Sequence, residues 1–139
     1  MQPAMNKTLD GKWSYRSFRH DPIVVKDGRV EGNPNLATPW SPPGELHVVT
    51  GLMGEVSGTL IFVPGRVELQ VMGSITQASE KLPASIELTA AFQSNINKIK
   101  GFFVEGSDHV VGTVISLAGD LAGAPNGTAG PFVLFPIKP

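Results

Sequence analysis

The chain has 139 residues, 41% of them hydrophobic, with 11 Lys+Arg against 12 Asp+Glu and a formal net charge of −1. That length fits one domain, spanning 1–139, which can bury roughly two-thirds of the surface its unfolded chain exposes and needs no metal or crosslink to fold. The near-neutral charge offers no pull toward nucleic acid or anionic membranes, and the absence of cysteine excludes disulfides, thiolate metal sites and a Cys nucleophile.

The opening residues Met1 to Lys7 lack the apolar run of a signal peptide, and no apolar stretch is long enough to span a bilayer, so the expected location is cytoplasmic. In that setting the sequons at Asn6 and Asn126 are chance matches. The 16 glycines and 12 prolines are spread along the chain, where they punctuate many short strands, and no segment holds a helical period.

The first predicted strand is Lys12 to His20, with Trp13 and Tyr15 on one face and Arg16 and Phe18 on the other. A short hairpin follows over 23–31, because Asp27-Gly28 suits a tight turn with positive φ at both central residues. Between Gly32 and Gly44 stand Pro34, Pro39, Pro42 and Pro43, which cannot donate to a ladder, so 32–44 is predicted to be an irregular extended loop. Trp40 in this loop is a candidate lid over a barrel mouth or an interface anchor.

From Glu45 onward apolar and polar residues alternate with period two. Leu46 and Val48 mark one strand, Val56 and Leu60 the next, then Val67, Leu69 and Val71, then Ile86, Leu88 and Phe92. Ser94-Asn95 is expected to close that strand and Lys98 to open the following one. After Gly106-Ser107-Asp108, the strand His109 to Leu117 is expected to turn Val111 and Ile115 inward together with His109, and the last strand runs from Pro131 to Ile137.

These are eight main strands at even spacing, which leave two exposed edges unless the sheet closes on itself. The expected fold is all-β, an eight-stranded antiparallel up-and-down barrel, with a two-sheet β-sandwich as the alternative. Glycines inside strands (Gly58, Gly73, Gly101 and Gly112) favour the barrel, since closed sheets need points of strong bending.

Gly11-Lys12-Trp13 resembles the Gly-x-Trp that opens lipocalins, fatty-acid-binding proteins and avidins, and Glu55 to Leu60 is similar to an early strand of avidin-like barrels. The resemblance implies a calycin-like barrel in which Trp13 plugs one end beneath a basic residue, a place that only Lys138 could take, since no arginine follows Arg66. Biotin recognition is not implied: the chain has two tryptophans where a biotin pocket needs several.

Motifs for chemistry are sparse. His20 and His109 adjoin Asp21 and Asp108, but neighbours on a strand point to opposite faces, so neither pair is a ready dyad. There is no Gly-x-Ser-x-Gly elbow, no glycine-rich phosphate cradle ahead of a helix and no spacing for a metal, so neither a catalytic residue, a cofactor nor a metal is assigned. Three functions remain in view. The first is a barrel that binds a small apolar or aromatic molecule, with Tyr15, Arg16, Trp40, Phe92 and His109 as ligand-binding candidates. The second is a structural homo-oligomer, dimer or tetramer, formed through strands 98–137, whose faces are apolar on both sides. The third is a small isomerase or hydrolase for a lipophilic substrate, using Arg16, Asp108 and His109 at the barrel mouth.

Overall fold

In the computed structural model, residues 7–19, 24–31, 39–62 and 66–137 are described. They form ten strands: β1 (Gly11–Ser17), β2 (Val24–Lys26), β3 (Arg29–Glu31), β4 (Gly44–Thr50), β5 (Glu55–Phe62), β6 (Val67–Thr76), β7 (Ser85–Phe92), β8 (Asn95–Phe103), β9 (Val110–Ala118) and β10 (Ala129–Pro136). Among the described residues there is no helix.

Eight of these strands close into an antiparallel barrel in the order β1-β10-β9-β8-β7-β6-β5-β4, so the barrel prevails over the sandwich. From β4 to β10 each strand pairs with its sequence neighbour, and β1 closes the ring between β10 and β4, with Tyr15 opposite Leu134 on one side and Gly44 on the other. Closure leaves no free edge, which removes the row of unpaired amides an open meander would offer to another chain. The β2–β3 hairpin stands apart as a two-stranded sheet. Its turn residues, Asp27 at φ 51° and Gly28 at φ 75°, have the left-handed backbone that Asp-Gly tolerates.

Alternation decides what enters the barrel. Leu46 and Val48 of β4, Val56 and Leu60 of β5, Leu69 and Val71 of β6, and Ile86 and Leu88 of β7 are buried, while the residues that alternate with this face point outward. Two inward glycines let neighbouring strands approach closely. A Cβ on Gly73 would lie 2.0 Å from the Glu87 carbonyl oxygen, and one on Gly112 would lie 2.0 Å from that of Lys100.

One end of the barrel is sealed. Trp13 is buried there and donates its indole N–H to the Leu9 carbonyl at 2.9 Å, with Phe103 packed edge-on at a centroid distance of 6.5 Å. Residues 7–10 strap across this end. Leu9 is fully buried, its amide donates to Thr50 Oγ1 at 2.9 Å, and Lys7 and Gln77 exchange two hydrogen bonds of 2.8 Å each. The cation near the plug is Lys7, whose Nζ lies 5.8 Å from the Phe103 ring centre; Lys138, to which the resemblance pointed, lies outside the described residues, as does His20.

The structure corrects the sequence reading at several points. In β9 the inner face carries Val110, Gly112, Val114 and Ser116, so Val111 and Ile115 belong to the outer wall, Val111 being 42% exposed. Both faces of this strand are apolar, so alternation alone does not choose between them. The choice comes from pairing: Phe103 is buried, its partner is Val110, and directly opposed residues share a face. Strand β8 starts at Asn95, three residues before the expected Lys98, because Gln93 at φ 53° with Ser94 turns the chain tightly. Strand β10 starts at Ala129, and β1 ends at Ser17 with only an isolated bridge from Phe18 to Pro39 beyond it.

Candidate functional site

The opposite end of the barrel, where β1, β5, β7 and β9 finish and β4, β6, β8 and β10 begin, holds a cavity of about 200 Å³. Its floor and walls are apolar: Leu60, Val67, Leu69, Ala90, Ile99 and Val114 point in from five strands, with the rings of Tyr15 and Phe62 beside them. At the mouth stand Trp40, Ser41 and Pro42 from the proline-rich loop, and Asp120, Leu121 and Ala122 from the β9–β10 loop. Ser17, Asn95 and Asn97 add polar groups.

The aromatic frame is built across the β5–β1–β10 side of the barrel. Tyr15 meets Phe62 edge-on and Phe132 nearly parallel, both at 6.0 Å between centroids. Because β1 is paired on both sides, its inward residues Trp13, Tyr15 and Ser17 are held at fixed heights: one plugs the sealed end and the other two line the open end. Burial pushes the Tyr15 phenol up to about 12, since a phenolate there would lose its water; the hydrogen bond with the Ser17 side chain acts in the opposite direction. Ser17 Oγ in turn lies 3.2 Å from Ser41 Oγ, which ties β1 to the loop.

Trp40 is placed by two contacts. Its backbone N–H donates to the Ser17 carbonyl at 3.0 Å, and its indole N–H donates to Asp120 Oδ2 at 3.3 Å. The same carboxylate oxygen accepts from the Ala124 amide at 2.8 Å, so Asp120 links the two loops that form the mouth. Across the cavity, Asn97 Nδ2 donates to the Ala90 carbonyl at 3.3 Å and to Asn95 Oδ1 at 2.8 Å, while Asn95 Nδ2 donates to the Gly119 carbonyl at 3.0 Å. These bonds hold the first residues of β8 against β7 and the β9–β10 loop, where a polar side chain without partners would be costly to bury.

Of the residues chosen from sequence, Tyr15 and Trp40 come together at this cavity. Arg16, Phe92 and His109 do not. Arg16 points out from β1, with its guanidinium 5.7 Å from the Phe135 ring centre, and His109 meets the same ring at 6.1 Å from the outer side of the sealed end. Phe92 ends β7 at 37% exposure, outside the cavity lining. Asp108 is exposed in the β8–β9 turn, so the trio Arg16, Asp108 and His109 does not meet at the mouth. Among the described residues the cavity's titratable lining groups are Tyr15 and Asp120. Among the described residues, no three His, Asp or Glu side chains come together as a metal site.

Sequence reasoning missed Asn95, Asn97 and Asp120. Asn95 and Asn97 share the inner face of β8 with Ile99, a polar pair where a core strand is expected to be apolar, and that break in the pattern was the available signal. Asp120 sits among glycines in a loop, where nothing local marks it. Set against known families, curated proteins and solved structures, the chain matches none of them.

Proposed function

We propose that this protein binds a small apolar or aromatic molecule inside the open end of its barrel. The observation that carries the reading is the cavity of about 200 Å³, walled by aliphatic side chains and the rings of Tyr15, Trp40 and Phe62, with a few polar groups at fixed positions. Binding sites for small molecules have that character: mostly apolar, concave, and oriented by a small number of polar contacts. An apolar cavity of about 150 Å³ holds one benzene, so the enclosed part of this one suits a benzene-sized ring with a short substituent. The likeness to lipocalin-type barrels, plugged at one end by a tryptophan and open at the other, supports the same reading.

The test uses Trp40 as a reporter. Titration with monocyclic aromatics is expected to change tryptophan fluorescence saturably, and native mass spectrometry is expected to show one ligand per chain. Ala90→Leu, which adds volume at a fully buried position of the cavity wall, is expected to abolish both signals while the barrel remains folded. Failure of every aromatic to bind at millimolar concentration overturns the proposal.

A second reading concerns a second copy of this chain. In the isolated chain the outer wall of β8 and β9 exposes Ile96 at 36%, Phe102 at 47%, Val111 at 42% and Leu117 at 49%, with Val104 at 41% just beyond β8. Phe102 pairs with Val111 and Val111 with Val133, so three apolar residues form one row across β8, β9 and β10. Such a wall fits a homodimer or tetramer through strands 98–137, with the same row meeting itself across a two-fold axis. Phe102→Glu and Val111→Glu are then expected to shift the protein to monomer in light scattering. A monomeric wild-type protein refutes this reading.

A further inference from the structure

We infer that the molecule this cavity takes is a small organic cation, an apolar or aromatic body of about benzene size bearing an ammonium or amidinium group. The inference rests on the binding reading above and adds the charge of the ligand to it.

The charges at the site point one way. Among the described residues no Lys, Arg or His lines the cavity, and the charged residue that does is Asp120 at the mouth. Asp120 is held by neutral donors only, the Trp40 indole at 3.3 Å and the Ala124 amide at 2.8 Å, and both bonds fall on Oδ2. Among the described residues, Oδ1 accepts no hydrogen bond and Asp120 forms no ion pair. A half-buried carboxylate fixed in place, with one oxygen free of described donors and no described cation paired with it, suits a cationic partner.

The neutral groups agree with it. Tyr15, Trp40 and Phe62 line the same cavity, and an aromatic face attracts a cation through its ring quadrupole. The amide of Asn97 commits its N–H groups to Ala90 and Asn95, so Oδ1 is left as a hydrogen-bond acceptor. The site therefore offers acceptors and ring faces. A carboxylate or phosphate ligand would find no cation among the described lining residues and a like charge at the entrance. Among cations nearby in sequence, Arg19, two residues beyond Ser17, is outside the lining and already engaged, Lys98 lies on the outer side of β8, paired with Glu87 at 2.9 Å, and Arg66 is paired with Glu68 at 3.4 Å.

Three probes with one body separate the possibilities: phenethylamine, phenethyl alcohol and phenylacetate, each titrated by calorimetry into the full-length protein. Phenethylamine is expected to bind about ten-fold tighter than the alcohol, a factor within the range of a partly desolvated cation–π contact and one charge-assisted hydrogen bond. Phenylacetate is expected to bind more weakly than the alcohol. Asp120→Asn, checked for retained thermal stability, should bring the ratio of amine to alcohol affinity within the variant close to one. Added salt provides the same readout without mutation, weakening the amine and sparing the alcohol. Equal binding of amine and alcohol, or tightest binding of phenylacetate, overturns the cation inference while the apolar-ligand reading stands. If none of the three binds and the aromatic panel is also silent, both fall together.

Discussion

Tyr15 is the chain's single tyrosine, so its ionisation can be followed without interference from another phenol. In the folded protein the phenol is 4% exposed and its pKa is pushed up to about 12, against 10.0 for the free group, with burial as the larger cause and the Ser17 hydrogen bond opposing it. Because the folded value lies above the unfolded one, the contribution is fully present below pH 10 and is lost as the pH rises through 12. A difference of two units corresponds to about 2 to 3 kcal/mol over that interval. Against a total of about 10 kcal/mol for a domain of this size, that loss lowers the unfolding midpoint by roughly 10 °C. Two measurements check it. Near-ultraviolet absorbance of phenolate should rise near pH 12 in the native protein and near pH 10 in denaturant. Thermal unfolding of wild type and Tyr15→Phe should diverge across the same interval, the variant lacking the tyrosine's share of the alkaline loss. A native midpoint close to pH 10 would refute the reasoning, because it would place the phenol in water rather than against Phe62 and Phe132.

The remaining expectations concern packing. Gly73→Ala puts a methyl group where the Glu87 carbonyl oxygen would be 2.0 Å away, so strands β6 and β7 must separate; a loss of about 3 kcal/mol is expected by chemical denaturation. Trp13→Ala opens the sealed end and removes the indole bond to Leu9, with an expected cost of about 3 to 5 kcal/mol in the same assay. Val110→Ala and Val111→Ala test the register of β9: the first should cost about 2 kcal/mol and the second, measured on monomer, under about 0.5. Equal effects would mean that the two faces of β9 are assigned wrongly.

Much of the barrel was legible in the sequence because its strands from Glu45 to Phe92 are polar on one side. With a period of two and one solvated face, alternation names the inward residues, and short turns leave little choice but neighbour pairing. Asp27-Gly28 announced its turn for the same kind of local reason, since few residue pairs accept two positive φ values. Gly11-Lys12-Trp13 pointed to a tryptophan at the base of a barrel, and Trp13 occupies that place.

What the sequence by itself determined, then, is whatever depends on near neighbours: strand against turn, the inner face of half-polar strands, and an even count of strands with edges to hide. Tertiary structure alone decided what depends on pairing between distant segments. The face of β9 follows from Phe103 opposite Val110, because a strand apolar on both sides carries no local preference. The site followed the same rule. Tyr15, Trp40, Asn97 and Asp120 lie far apart in the chain and meet only because closure of the sheet brings the ends of β1 and β9 and the start of β8 to one mouth. Arg16 and His109 were attractive candidates by residue type, yet both stand on the outer wall, since a side chain's direction on a closed sheet is set by register and not by its chemistry.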